Sequence, residues 1–340
     1  MKADRNICII VAFLSLLSFK SHSQDFTFVF YNVENLFDIY DDEHINDEEF
    51  TPEGQKNWNY DRYIEKIDHI SRVLTGIGEW KLPAIVGLCE IENRKVLLDL
   101  IDHRLLKEQD YEVIHQNSPD RRGIDVALLY DKNVFSPLVS VWYEIRFKTD
   151  TGLRTRDILY VKGEIYQKDT IHVFINHWPS RWGGIEATVP KRVETARQLK
   201  EVTDSIFAAD NEANILIAGD FNDTPADSSL IKVLNAADDL GEGAEYLINL
   251  MYPIHMEGKE GTLKYRENWE IYDQIIVSSS LMKLENSRLS LSGPYIYRPD
   301  FLITEDERYL GMKPFRTYSG PKYHGGFSDH LPVFVRFESY

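Results

Sequence analysis

The 340-residue chain has only two cysteines, Cys8 and Cys89, which excludes a disulfide-stapled fold. Basic charge is scarce too. Thirty-eight Lys and Arg face 55 Asp and Glu, a formal net charge of −17. That balance argues against a broad basic face for gripping nucleic acid, and it agrees with cation binding. There is no HExxH and no paired-Cys array, so a proteolytic or structural zinc site has no support. A Gly-x-x-x-x-Gly-Lys-Ser/Thr loop is missing, which weakens a nucleotide-driven motor or kinase. The Gly-x-Ser-x-Gly elbow of serine hydrolases is missing as well. What remains is ordinary for a folded protein: 43% apolar and 27% charged residues. No internal repeat and no Pro/Ser-rich linker divides the chain, so one domain is expected over residues 24–340.

The N-terminus reads as a segment apart. Lys2 and Arg5 precede an apolar run from Ile7 to Phe19, 13 residues against the roughly 20 of a membrane-spanning helix. Ser21 and Ser23 follow at the −3 and −1 positions of a cleavage site, so residues 1–23 are expected to be a secretory signal peptide. Export to the periplasm or the extracellular space follows, and with no Cys ending the run, no lipid anchor. Cleavage removes three cations (Lys2, Arg5, Lys20) and one anion (Asp4), leaving about −19. Cys89 is then the lone thiol. It follows the apolar Ala84–Leu88 and is expected in the core.

From Phe26 on, short runs rich in Val, Ile, Phe and Tyr predict strands at 26–33, 84–89, 124–130, 158–165, 171–176, 215–218, 271–277 and 333–337. Ile64, Ile67, Ile70, Val73 and Leu74 recur at helical spacing and predict a helix capped near Gly76. Val193, Ala196, Leu199, Thr203 and Ile206 predict a second, after Pro190. The acidic stretch Asp41–Glu49 lacks the central Gly and spaced ligands of an EF-hand and reads as a solvated loop. Many strands with few helices between them suggest packed sheets with helices outside.

Five junctions then stand out, where an apolar strand adjoins a residue suited to metal or phosphate chemistry. They are Asn32 after Tyr31, Glu90 after Cys89, His177 after Asn176, Asp220-Phe221-Asn222 after Gly219, and Asp329-His330 before the last strand. Each alone is what a turn or cap would use. Together they supply hard oxygens suited to Mg²⁺ and imidazoles that exchange protons near neutral pH. The segments Tyr31-Asn32-Val33-Glu34-Asn35-Leu36, Leu88-Cys89-Glu90-Ile91, Asn176-His177-Trp178-Pro179-Ser180, Gly219-Asp220-Phe221-Asn222-Asp223, Tyr272-Asp273-Gln274-Ile275 and Ser328-Asp329-His330-Leu331-Pro332 appear in that order. In these the chain resembles the endonuclease/exonuclease/phosphatase superfamily, with its DNase I-like fold, over essentially the whole mature length.

The resemblance implies a four-layer α/β sandwich, two mostly antiparallel mixed sheets packed face to face with helices outside, and metal-dependent cleavage of phosphate esters. By the same matching, Glu90 would be the main ligand of Mg²⁺ (or Mn²⁺ or Ca²⁺), with Asn32 and Asp273 near the metal. Asp220 and Asn222 would hold the attacking water and the phosphate. His330 would be base or phosphate contact, oriented by Asp329, with His177 facing it. Arg181 and Arg121 are candidate phosphate contacts, and Trp269, with Thr262 and Tyr265, a candidate aromatic wall. The expected activity is an exported, monomeric, nuclease-like phosphodiesterase. The rivals are a phosphatase or sphingomyelinase-like phospholipase on a small or lipid ester, and a catalytically dead binding module on the same fold.

Overall fold

The computed structural model describes residues 25–148, 150–237, 246–282 and 289–339. The expected signal peptide and Cys8 lie outside the described residues.

Strands β1 (Phe26–Leu36), β2 (Ile85–Ile91), β3 (Tyr111–His115) and β4 (Asp125–Asp131) are followed by β5 (Phe135–Tyr143), β6 (Ile158–Ile165), β7 (Asp169–His177) and β8 (Ile215–Asp220). After these come β9 (Ala236–Ala237), β10 (Leu247–Asn249), the hairpin β11 (Leu263–Tyr265) and β12 (Asn268–Glu270), β13 (Asp273–Ser278) and β14 (Leu289–Ile296). Two more hairpins, β15 (Ile303–Glu305) with β16 (Met312–Pro314) and β17 (Tyr318–Ser319) with β18 (Lys322–Tyr323), precede β19 (Val333–Ser339). One sheet runs β14-β19-β1-β2-β4-β3 and the other β5-β6-β7-β8-β13-β10-β9.

Strand alternation sorts side chains into layers. Phe28 and Phe30 of β1, Val173 and Ile175 of β7, Leu216 and Ala218 of β8, and Val333 and Val335 of β19 meet in one core between the sheets. The opposite face of the first sheet packs on helices α1 (Tyr60–Gly78) and α2 (Arg94–Ile101). That of the second packs on α3 (Ile185–Ala209). The result is the four-layer sandwich, with Cys89 buried in its central core. Among the described residues no helix is long and apolar enough to cross a membrane.

Two helix ends differ from expectation. α1 runs past Gly76 to Gly78; a Cβ at Gly76 would sit 2.1 Å from the Tyr297 hydroxyl, so this glycine serves close packing and no cap. α3 starts five residues before Pro190, which lies in its second turn and leaves the Glu186 carbonyl without its intrahelical N–H partner. Edge strand β5 escaped detection because its pattern is broken by half-exposed positions and by a register shift at Pro137.

Each sheet contains a central parallel pair, β1–β2 and β7–β8. Parallel strands end on the same side, so Asn32, Glu90, His177 and Asp220 are delivered together.

Candidate active site

The inner-core rows continue into the site. Asn32 is in phase with Phe28 and Phe30, His177 with Val173 and Ile175, Asp220 with Leu216 and Ala218, and Asp273 with Ile275 and Val277. Each is therefore aimed inward where the hydrophobic filling stops. Registry completes the cluster: His177 pairs with Asp220 across the parallel ladder, and Asp273 with Asp220 across the antiparallel one. Glu90 breaks the phase. It stands at φ +63° where the β2–β4 register shifts, and this bulge turns a carboxylate toward the site that regular alternation would send to the helical face.

Asp220 is the centre of the arrangement. Its Oδ2 accepts from Asn32 Nδ2 at 3.0 Å and its Oδ1 from the Asn222 backbone N–H at 2.9 Å. His177 Nε2 lies 3.6 Å and His330 Nε2 3.8 Å from the same Oδ2. Burial, with Asp273 and Glu90 nearby against a helpful His330, pushes the Asp220 carboxyl up to about 6. Glu90 Oε2 accepts from the Asn35 backbone at 2.9 Å, while Oε1 lies 3.4 Å from Asn32 Nδ2 and 4.0 Å from His177 Nε2.

His330 reaches the site through a tethered loop. The Ser328 hydroxyl donates to the Asn32 carbonyl at 2.7 Å and accepts from the His330 N–H at 3.0 Å. Its Nδ1 is 2.7 Å from Asp273 Oδ2. Burial opposes a charge on this ring, yet Asp273 and Asp220 together hold it well above the ordinary histidine range. His177 is the converse: burial first, then Arg156, Arg122 and His330, keep it well below. Its Nδ1 is buried without a hydrogen-bond partner, so the proton belongs on Nε2, facing the carboxylates.

Several expected roles change. The carboxylate that orients His330 is Asp273 and not its sequence neighbour Asp329, whose Oδ2 takes Arg316 Nη2 at 2.8 Å. Adjacent residues in extended chain point apart, so Asp329 faces away. Asp273, expected near the metal, is fully buried; its Oδ2 meets that ring while its Oδ1 has no hydrogen-bond partner, so it can still serve with Asp220 and His330 in a metal-binding group. Asn32, expected beside the metal, accepts the Glu34 N–H on Oδ1 at 3.0 Å, so the group it shows the site is an NH₂, which cannot ligate a cation. Asn222 donates Nδ2 to the Trp178 carbonyl at 3.1 Å, fixing the loop after His177. Arg181 is committed to the Asn222 carbonyl, Asp223 and Asp227, with its guanidinium 4.8 Å from the Tyr272 ring centre, and is no free phosphate contact. Trp269 packs against the outer core under the Arg298 guanidinium, 4.5 Å away, and forms no open wall. Thr262 accepts the Tyr272 and Asp273 N–H groups and acts as scaffold. Arg121 is exposed and lines a cleft beside the site.

Sequence reasoning passed over Arg156. It is buried, pairs with Asp120 at 3.0 Å and donates to the Trp178 carbonyl, so it sets both position and charge near His177. No motif marks it.

The donor set suits a hard divalent ion. Ligand atoms of Asp220, Asp273 and His330 lie within 4.8 Å of one another. That trio contains the His330–Asp273 hydrogen bond, and a buried imidazole is a poor Mg²⁺ ligand. Glu90, the accessible carboxylate of the group, fits better, with water and substrate oxygens completing the shell.

The family model described as "Endonuclease/Exonuclease/phosphatase family" matches residues 27–339. No curated protein sequence matches the chain. Among solved structures, an endonuclease/exonuclease/phosphatase family protein from Bacteroides thetaiotaomicron is similar at TM-score 0.57 and 15% identity, covering 94% of this chain and 99% of that one. A mannosyl-6-phosphatase from Bacteroides thetaiotaomicron follows at TM-score 0.55 and 16% identity, covering 92% and 99%. TDP2 from D. rerio, complexed with a single-strand DNA product, gives TM-score 0.55 and 13% identity, covering 92% and 99%. At such identities the likeness is one of fold.

Proposed function

Since the chain belongs to the endonuclease/exonuclease/phosphatase family, whose members are hydrolytic phosphoesterases, we propose that it is an exported, Mg²⁺-dependent phosphodiesterase. The carrying observation is the convergence of Glu90, Asp220, His177 and the Asp273-backed His330 at one end of both sheets.

Glu90 would hold the ion, which when bound neutralises phosphoryl charge and so eases approach of a nucleophile. Asp220 takes the proton of the attacking water, because its carboxyl, at about 6, is ionised near neutral pH and basic enough to accept it. Asn32 and the Asn222 N–H hold it in place from two sides. His330, kept charged by Asp273, donates from Nε2 to a phosphoryl oxygen as negative charge grows there. Neutral His177 donates a second hydrogen bond from Nε2 on the facing side. Two imidazoles thus address the phosphate, one carboxylate the water and one the ion.

A second reading has its own support. The adjoining cleft has a volume of about 1020 Å³, close to that of a small-molecule site. That favours a phosphatase on a small ester, the chemistry named for the mannosyl-6-phosphatase, over a nuclease, the reading that the DNA-bound TDP2 invites. The test is turnover of bis(p-nitrophenyl) phosphate and p-nitrophenyl phosphate, with Mg²⁺ and with chelator. Chelator-sensitive cleavage of the diester is expected. Cleavage of the monoester alone selects the second reading, and cleavage of neither leaves a binding module. Export is checked separately by N-terminal sequencing of secreted protein, which should begin at Gln24.

A further inference from the structure

Beside the catalytic groups the surface changes sign. The 1020 Å³ cleft is lined by six cations, Arg121, Arg122, Arg154, Arg156, Lys191 and Arg316, against the carboxylates of Asp120, Asp150 and Asp329, on a chain of net charge −17. Part of this charge is spent internally. Asp120 takes Arg156 at 3.0 Å and Arg122 at 3.4 Å, Asp329 takes Arg316, and Arg154 lies 4.0 Å from Glu144. Arg121 and Lys191 form no ion pair among the described residues, although they come from separate segments, the loop before β4 and the start of α3. The floor carries a second surplus of the same kind. Thr155 Oγ1 and Arg156 Nε, both hydrogen-bond donors, are buried with no partner. Unpaired donors are costly to bury, so these cations and donors favour an anionic acceptor brought from outside.

The cleft adjoins the site. Its Arg156 and Arg122 lie near enough to His177 to disfavour a charge on that ring, and Arg156 holds the carbonyl of Trp178, the residue after His177. We propose that this cleft is a second anion subsite, receiving a phosphate that the substrate carries beside the one being cleaved. Arg121 and Lys191, from separate segments of the lining, grip it, with Arg156 and Thr155 beside them. The inference rests on the phosphoesterase reading and narrows it to substrates bearing two phosphates. Such a phosphate is either the next one of a nucleic-acid backbone or a second ester on a small molecule, and the chemistry recognised is the same.

Two substrate pairs separate those sources: a dinucleoside monophosphate with and without an added terminal phosphate, and a sugar monophosphate with its bisphosphate. In one pair the two-phosphate member should be favoured by about tenfold or more in kcat/KM, chiefly through KM, the scale of one or two charge-assisted hydrogen bonds. That pair identifies the source. In Arg121→Gln/Lys191→Gln the preference should collapse toward unity, while the charge-conserving Lys191→Arg should retain much of it. A wild-type ratio near one in both pairs, or a ratio unmoved by the double substitution, overturns the subsite. Calorimetric titration of inorganic pyrophosphate without metal needs no turnover. It should show binding that weakens about tenfold in the double variant, and equal or absent binding overturns the proposal even if no ester is cleaved. Failure of hydrolysis with intact, variant-sensitive pyrophosphate binding would instead count against the phosphoesterase reading alone.

Discussion

His177 and His330 are the same residue type, both enclosed at strand ends, within 4 Å of the same Asp220 oxygen, and their surroundings shift their titration in opposite directions. One ends a strand of the seven-stranded sheet and the other introduces a strand of the six-stranded sheet. Burial disfavours the imidazolium in each. The difference lies behind the ring. His330 has a buried carboxylate on Nδ1, whereas His177 has an unpartnered Nδ1 and the Arg156 and Arg122 guanidiniums nearby. Asp220 and Glu90 pull His177 toward charge, but at 3.6 and 4.0 Å without a hydrogen bond they do not overcome burial. Facing donors of unequal charge suit a reaction in which one phosphoryl oxygen gains more negative charge than another.

The comparison breaks most sharply at Asp273. Asp273→Asn and His330→Gln should each lower turnover by about 10²-fold or more while circular dichroism stays native. Near-normal rates in either would remove the charged-donor role. His177→Gln should cost somewhat less, about 10²-fold, the lower end for loss of one aligned donor, and mainly in kcat. Histidine NMR at pH 7 should find an imidazolium at 330 and a neutral ring at 177, and the same state at both would end the contrast. Asp329→Asn should stay within about fivefold, because a partly exposed pair with Arg316 contributes about 1 kcal/mol at most. A loss rivaling that of Asp273→Asn would return Asp329 to the role its sequence position suggests.

The smallest effect concerns His172, five residues before His177 on the same strand and distant from any ligand role. Burial, then Lys162, lowers its pKa to about 4, while its Nδ1 meets the Tyr160 hydroxyl at 2.8 Å. The unfolded chain takes up a proton near 6.5 and the folded chain only near 4. Stability is therefore constant above about 6.5 and falls as pH drops through that window, by no more than about 3 kcal/mol. His172→Gln should flatten that acid limb in urea melts between pH 7 and 4. An unchanged limb would show that burial on this strand does not hold its histidines neutral.

Much of the site was legible because it follows period two. Continuing the rows Phe28–Phe30, Val173–Ile175 and Leu216–Ala218 by one step gives Asn32, His177 and Asp220, and the same phase read backward from Ile275 gives Asp273. Glu90 was visible only as a polar residue at a strand end, since its direction depends on a bulge and a positive φ that strand sequences do not mark. The partner of His330 was misread because proximity along the chain was taken for proximity in space. Asp273 lies 57 positions away and arrives through the β8–β13 ladder. Arg181 and Trp269 were read as exposed handles. Their free valences were in fact taken by Asp223, Asp227 and Arg298, residues remote in sequence.

Local patterning thus determined the strands, the layers and which residue types stand where the core gives way to polar groups, because alternation and burial act over a few residues. Tertiary structure alone decided which carboxylate backs which imidazole, which histidine is pushed toward the charged form, and that Arg121 and Lys191 share a cleft. Electrostatic energies depend on distance and desolvation, and both are set only when segments far apart in the chain are packed together.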